Sequence, residues 1–218
     1  MMKTLLVLIT LSLPFGKCFA STMEIVNTVG AAELEKLYLA KAPQATRDGG
    51  TIRIKTSSAT AVFTDNGKDG EGLARHYLIG QYQITSKRTD FIILTLGWEG
   101  YRCTIVNGRT GETIRVAAEP ILSPYKSHYL VPSIDLEAFN NPNRLDIISV
   151  KDFSNEFTID FDKHLRNNLR VGPEGAKWIS PDEVFFLKKE IDHRMKTKSL
   201  EPTLIKKSDG RWKAEKLK

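Results

Sequence analysis

Asp160, Asp162 and His164 are the densest set of acid–base side chains in the sequence. In a strand that continues past Phe161 they fall on one face, opposite Phe157, Ile159 and Phe161. Two carboxylates beside an imidazole can hold a cation or move a proton, although the solvent face of any amphipathic strand has the same pattern. Other reactive residues offer less. His76, His128, His164 and His193 include no close pair, and Cys103, the one cysteine beyond the first twenty residues, cannot by itself complete a structural zinc site. Asp65, Asp69, Gly70 and Glu71 approach a calcium loop, but Gly67 stands at its third position and His76 at its twelfth, where Glu is needed. There is no Gly-x-Ser-x-Gly elbow and no phosphate-binding glycine loop. Cys103 alternates in phase with Tyr101 and Ile105, the pattern of a buried, inert thiol. No metal and no cofactor is expected.

Residues suited to holding a partner are easier to find. Trp98, Glu99 and Tyr101 follow an apolar strand and can bring aromatic rings to a surface edge, where they anchor partners well. Lys206, Lys207, Arg211 and Lys213 belong to a basic end. Residues 188–218 carry eleven Lys/Arg against five Asp/Glu. Such an end can touch an anionic envelope surface or an acidic protein.

The first residues set the compartment. Met1–Ala20 has a Lys3 start, an apolar run over Leu5–Leu13, a Pro14-Phe15-Gly16 break, and Cys18-Phe19-Ala20 before Ser21. That is the form of a cleaved export signal, too short to span a bilayer, which takes about 20 apolar residues. Cleavage of the 218-residue chain leaves 198 residues, removes Lys3 and Lys17 so that the formal charge falls from +6 to +4, and leaves Cys103 without a disulfide partner. The product is expected to be periplasmic or extracellular, with no transmembrane segment and no nucleic-acid partner. Its parts are the signal at 1–20, a β-rich domain at 21–187 and a basic segment at 188–218 that ends in a hairpin.

The elements that would position these residues are mostly strands. Ala31–Lys41 is predicted as a helix, with Leu34, Leu37, Tyr38 and Lys41 at helical spacing and Pro43 beyond. From Thr51 the period becomes twofold. Ile52 and Ile54 alternate with Arg53 and Lys55, and Asp65-Asn66-Gly67 offers a hairpin turn after Ala61-Val62-Phe63. Leu78, Tyr82 and Ile84 share a face, and the near-continuous Phe91–Leu96 predicts a strand buried on both sides. Asn107–Gly111 is a turn, and strands follow at His128–Val131, Leu145–Val150 and Phe157–Phe161.

An internal similarity adds to this. Ile121-Leu122-Ser123-Pro124, three residues, then His128-Tyr129-Leu130 parallels Trp178-Ile179-Ser180-Pro181, three residues, then Phe185-Phe186-Leu187. With the Gly turn and Glu119-Pro120 upstream, residues 101–150 resemble the blade repeats of TolB-type β-propellers, echoed at 176–214. The copies read Ser-Pro-Tyr-Lys and Ser-Pro-Asp-Glu where that family's turn has Ser-Pro-Asp-Gly. At about 45 residues per blade the mature chain has room for about four. The expected fold is mainly β, incomplete propeller-like or β-sandwich antiparallel sheets with one short N-terminal helix. Ser180-Pro181-Asp182-Glu183 also reads as a helix start, so residues 180–195 stay open between strand and helix. The resemblance implies a protein-interaction scaffold. The expected function is an exported, non-catalytic binding protein in an envelope accessory or immunity-type role. The alternative is a small secreted hydrolase using Asp160, Asp162 and His164.

Overall fold

A computed structural model describes residues 30–67, 72–98, 100–138, 140–164 and 169–217. The expected export signal at Met1–Ala20 lies outside them, as do Asp69, Gly70 and Glu71 of the rejected calcium loop. Among the described residues the fold is mainly β, with one short helix, α1 (Ala31–Leu39), and four antiparallel sheets. The first sheet holds β1 (Ala45–Asp48), β2 (Thr51–Lys55) and β3 (Thr60–Thr64). The second holds β4 (Arg75–Thr85), β5 (Arg88–Leu96), β6 (Tyr101–Val106) and β7 (Thr113–Val116). The third holds β8 (Ile121–Leu122), β9 (His128–Ser133), β10 (Arg144–Ser149) and β11 (Asn155–Asp160). The fourth holds β12 (Arg170–Ser180), β13 (Glu183–Ile191), β14 (Thr197–Ser208) and β15 (Arg211–Lys216). Within every sheet each strand pairs with the next in sequence, so each is a meander. No closed barrel or propeller is identified among the described residues.

The core follows from strand alternation. In β5, Phe91 and Ile93 face the first sheet and join Ile52 and Ile54 of β2, while Ile92 and Leu94 face the third sheet and join Tyr129 and Val131 of β9. On β9 and β10 the residues between these, Leu130, Leu145 and Ile147, turn to the fourth sheet and meet Val184, Phe186, Ile205 and Trp212. The two middle sheets are therefore buried on both faces. This is why Phe91–Leu94 carries no polar residue.

Two local expectations are corrected and one open alternative is resolved. The helix ends at Leu39, and Leu37 is 57% exposed; Glu35 is buried in its place. Arg47 of β1 accounts for this, since its guanidinium holds the Glu35 carboxylate at 2.6 and 3.0 Å. Among the described residues no ladder pairs β3 with β4 across Asp65-Asn66-Gly67. The Asp65 carboxylate accepts the His76 amide of β4 at 2.8 Å and Arg47 Nη1 at 3.2 Å, and Asn66 and Ala74 form an isolated antiparallel bridge just before β4. Residues 183–191 are a strand, which resolves the strand-or-helix alternative. Both Ser-Pro segments turn between paired strands, β8 to β9 and β12 to β13, and Trp178 of one copy donates its indole N–H to the Ile121 carbonyl of the other at 3.0 Å. Residues 188–218 include the end of β13 and all of β14 and β15, so β13 crosses the 187/188 boundary. The final hairpin turns through Asp209 and Gly210, with φ of 52° and 75°. Positive φ at both central residues is the type I′ geometry that suits twisted strands.

Candidate functional site

The β5–β6 turn carries the aromatic pair. Its Gly97 amide donates to the Gly100 carbonyl at 2.8 Å, which places Trp98 at the tip, 60% exposed. Tyr101 opens β6, half-buried, and burial is the main reason its phenol is held above the usual tyrosine value. Arg102 follows, exposed and in no ion pair among the described residues. With Asn140, Asn141 and Pro142 opposite, these residues line a cleft of about 750 Å³. Glu99 lies outside the described residues.

The opposite wall is held from behind by a polar chain. Asp135 accepts the amides of Ala138, Asn140 and Asn141 at 2.9, 2.8 and 3.0 Å. Asn143 caps the same loop, taking the Asp135 amide at 2.7 Å and donating its side-chain amide to the Asp135 carbonyl at 3.2 Å. Arg170 of β12 donates to the Leu136 carbonyl at 2.7 Å. A wall fixed before binding loses little freedom on binding. Among the described lining residues none is His, Cys, Lys, Asp or Glu. The described lining therefore offers a ring face, amides and a guanidinium, groups that recognise a ligand.

The basic residues divide between two faces of the fourth sheet. Lys206 and Lys213 are cross-strand partners on the solvent face, and Arg211 lies on the same face opposite Ser208. Lys206 pairs with Glu183 at 2.9 Å. Lys207 points inward instead and reaches the third sheet. Its ammonium lies 3.0 Å from Glu156 Oε2 and 5.3 Å from the centre of the Trp212 ring. Trp98 and Tyr101 belong to the second sheet, so the two groups of proposed contact residues stand on different sheets.

Asp160, Asp162 and His164 do not share a strand face. β11 ends at Asp160, and Asp162–His164 form a turn of 3-10 helix after Phe161 buries its ring. The Asp160 carboxylate pairs with Lys163 at 3.2 Å. Asp162 uses both oxygens on Asn143, accepting its backbone and side-chain amides at 2.9 and 3.0 Å. Asp162 thus supports the loop behind the cleft. The His164 side chain lies outside the described residues. No three His, Cys, Asp or Glu side chains gather as a metal site among the described residues. Cys103 is fully buried on β6, and burial pushes its thiol well above the usual range.

One cluster was not visible in the sequence. Between the third and fourth sheets, Glu156 Oε2 accepts the Trp212 indole N–H at 3.0 Å and lies 3.2 Å from His128 Nε2. His128 Nδ1 is 2.9 Å from the Ser127 hydroxyl, and the Trp178 and Trp212 rings flank the imidazole at 6.3 and 5.4 Å. Burial, the largest influence, holds the imidazole below its usual value, against the pull of Glu156 toward the protonated form. The cluster closes the edge of the inter-sheet core. Its only sequence signal was the equivalence of Trp178 with Ile121 in the paired segments. No protein-family model matches the sequence, and no curated protein matches it.

Proposed function

We propose that the chain is an exported, non-catalytic β-rich protein that binds another macromolecule through the Trp98–Tyr101 cleft, in an envelope accessory or immunity-type role. The observation that carries this is Trp98, exposed at the mouth of a cleft whose far wall is anchored by Asp135, Asn143 and Asp162. A large exposed indole beside a guanidinium that has no ion pair among the described residues is the side-chain chemistry that dominates protein interfaces. The solvent-facing Lys206, Arg211 and Lys213 add a field that draws an acidic partner or an anionic envelope surface. Export rests on the form of Met1–Ala20.

The test is affinity capture from the envelope fraction of the source cells with tagged protein, comparing wild type with Trp98→Ala and Arg102→Ala. Truncating an anchor residue costs about 2 kcal/mol or more, so the specifically bound protein should be lost from the Trp98→Ala sample at the same bait concentration. Equal recovery by wild type and Trp98→Ala refutes the assignment of the cleft. A Lys213→Gln control should change recovery only at low salt.

A further inference from the structure

A second cleft, of about 490 Å³, opens where the end of β2 meets the β4–β5 and β6–β7 turns. Its size falls in the range of small-ligand sites, about 300–1,000 Å³. Lys55 and Lys87 line it, and neither forms an ion pair among the described residues. Ser57, Ser86 and Gln44 add two hydroxyls and an amide with no side-chain hydrogen bond there, and no described lining residue is Asp or Glu. The wall is rich in donors and lacks carboxylates, which favours an anion.

The turns that present these groups are tied down. The Ser57 amide donates to the Gly108 carbonyl at 3.3 Å, the Lys55 amide to the Gln44 carbonyl at 2.9 Å, and the Lys87 amide to Thr85 Oγ1 at 3.2 Å. Gly108 is required for this approach, because a Cβ there would lie 1.7 Å from the Thr89 carbonyl oxygen. The Gly108 amide in turn donates to buried Asp90 at 3.2 Å. The floor is therefore rigid, while both ammonium groups remain available to a ligand.

We infer that this cleft is a phosphate-binding site, taking a phosphate or diphosphate group whose oxygens accept from Lys55, Lys87, Ser57 and Ser86. Lysine serves phosphate as a compact point charge, and two of them with flanking hydroxyls match an anion that carries more than one negative oxygen. The group can belong to a soluble phosphate ester or to a phospholipid headgroup. The site is separate from the Trp98 cleft and does not depend on the function proposed there.

The test titrates the full chain with inorganic pyrophosphate by calorimetry at low ionic strength, with amide NMR to locate the response. Saturable binding with shifts at Ser57, Ser86 and Lys87 is expected. Lys55→Gln/Lys87→Gln should weaken it by at least about tenfold. The melting temperature should not change, since both side chains are exposed. Ser57→Ala/Ser86→Ala should weaken it to a smaller degree. Sedimentation with phosphatidylcholine vesicles, with and without phosphatidylglycerol, separates the two sources. Lysine-dependent binding to the anionic vesicles points to a headgroup, and lysine-dependent binding to pyrophosphate alone points to a soluble ester. The inference is overturned if pyrophosphate does not bind saturably, or if Lys55→Gln/Lys87→Gln binds as wild type does. It is also overturned if Lys206→Gln/Lys213→Gln is the variant that loses binding.

Discussion

Replacing Asp90 with Asn tests how the second sheet is held to the third. Asp90 is completely buried on β5, and both of its oxygens are occupied. Arg88 Nε and Nη2 each donate at 2.7 Å, the Tyr129 hydroxyl of β9 donates at 2.7 Å, and the Gly108 amide at 3.2 Å. An amide has one carbonyl oxygen where the carboxylate had two acceptors, and it leaves the Arg88 guanidinium, 13% exposed, without its counter-charge. Breaking a buried ion pair by removing one partner costs about 3–5 kcal/mol. Arg88 retains some contact with water, so the expected loss is near the lower figure. Tyr129→Phe removes one hydrogen bond to a charged acceptor and should cost about 1.5–3 kcal/mol. Arg88→Met strands the carboxylate and should cost as much as Asp90→Asn. The double variant Arg88→Met/Asp90→Asn contains no unpaired charge, so its loss should be clearly smaller than the sum of the singles. Urea unfolding followed by tryptophan fluorescence at pH 7 measures all four. A loss below about 1 kcal/mol for Asp90→Asn, or strictly additive losses, would refute the claim that this pair stabilises the second sheet and anchors the Tyr129 link to the third.

Two further outcomes are expected. His128 and His76 both sit below the ordinary imidazole value, chiefly through burial, although Glu156 and Asp182 favour the proton on His128 and Asp65 favours it on His76. Lys207 opposes protonation of His128, and Arg47 and Arg115 oppose that of His76. The unfolded chain therefore takes up protons first, near pH 6.5. Stability should fall as pH drops below about 6.5 and level off for these groups once the folded-state values are passed. Chemical denaturation across this window should show that fall in wild type and a flatter profile in His76→Asn/His128→Asn; identical profiles would count against it. Asp162→Asn should lower stability by about 1–2 kcal/mol, since it disturbs both amides of Asn143. Asp160→Asn, whose partner Lys163 is exposed, should change it by no more than about 0.5 kcal/mol. Equal effects would contradict the separate roles assigned to them.

Much of the secondary structure was legible because strand alternation is a local property. The apolar run Phe91–Leu94 signalled burial on both faces, and β5 is indeed sandwiched between two sheets. The matched Ser-Pro segments signalled two similar turns, and both join paired strands. The Ser180 cap pattern favoured helix on local grounds, but Val184 and Phe186 pack against Leu145 and Ile147, and that burial selects the strand. Leu37 fits the spacing of a helical apolar face, yet Glu35 takes the buried position because Arg47 waits there from another element. The candidate site was partly legible. Trp98 and Tyr101 were identified from their types, but the wall facing them comes from Asn140 and Asn141, in a connection between two strands of a different sheet.

By itself the sequence determined a mainly β chain with one helix near its start, the positions of most strands and turns, a cysteine in the apolar phase, and positive charge gathered toward its end. These follow from side-chain period, turn chemistry and composition, each confined to a few neighbouring residues. Tertiary structure alone decided that the sheets stack in chain order with the middle two covered on both faces. It also turned Lys207 inward while Lys206 faces water, set Asp162 to brace a loop, and placed Lys55 and Lys87 on the lining of one cleft. Each of these depends on a partner many residues away, such as Trp212 for Glu156 or Tyr129 for Asp90. Such pairs acquire their energy only when packing excludes water from the space between them.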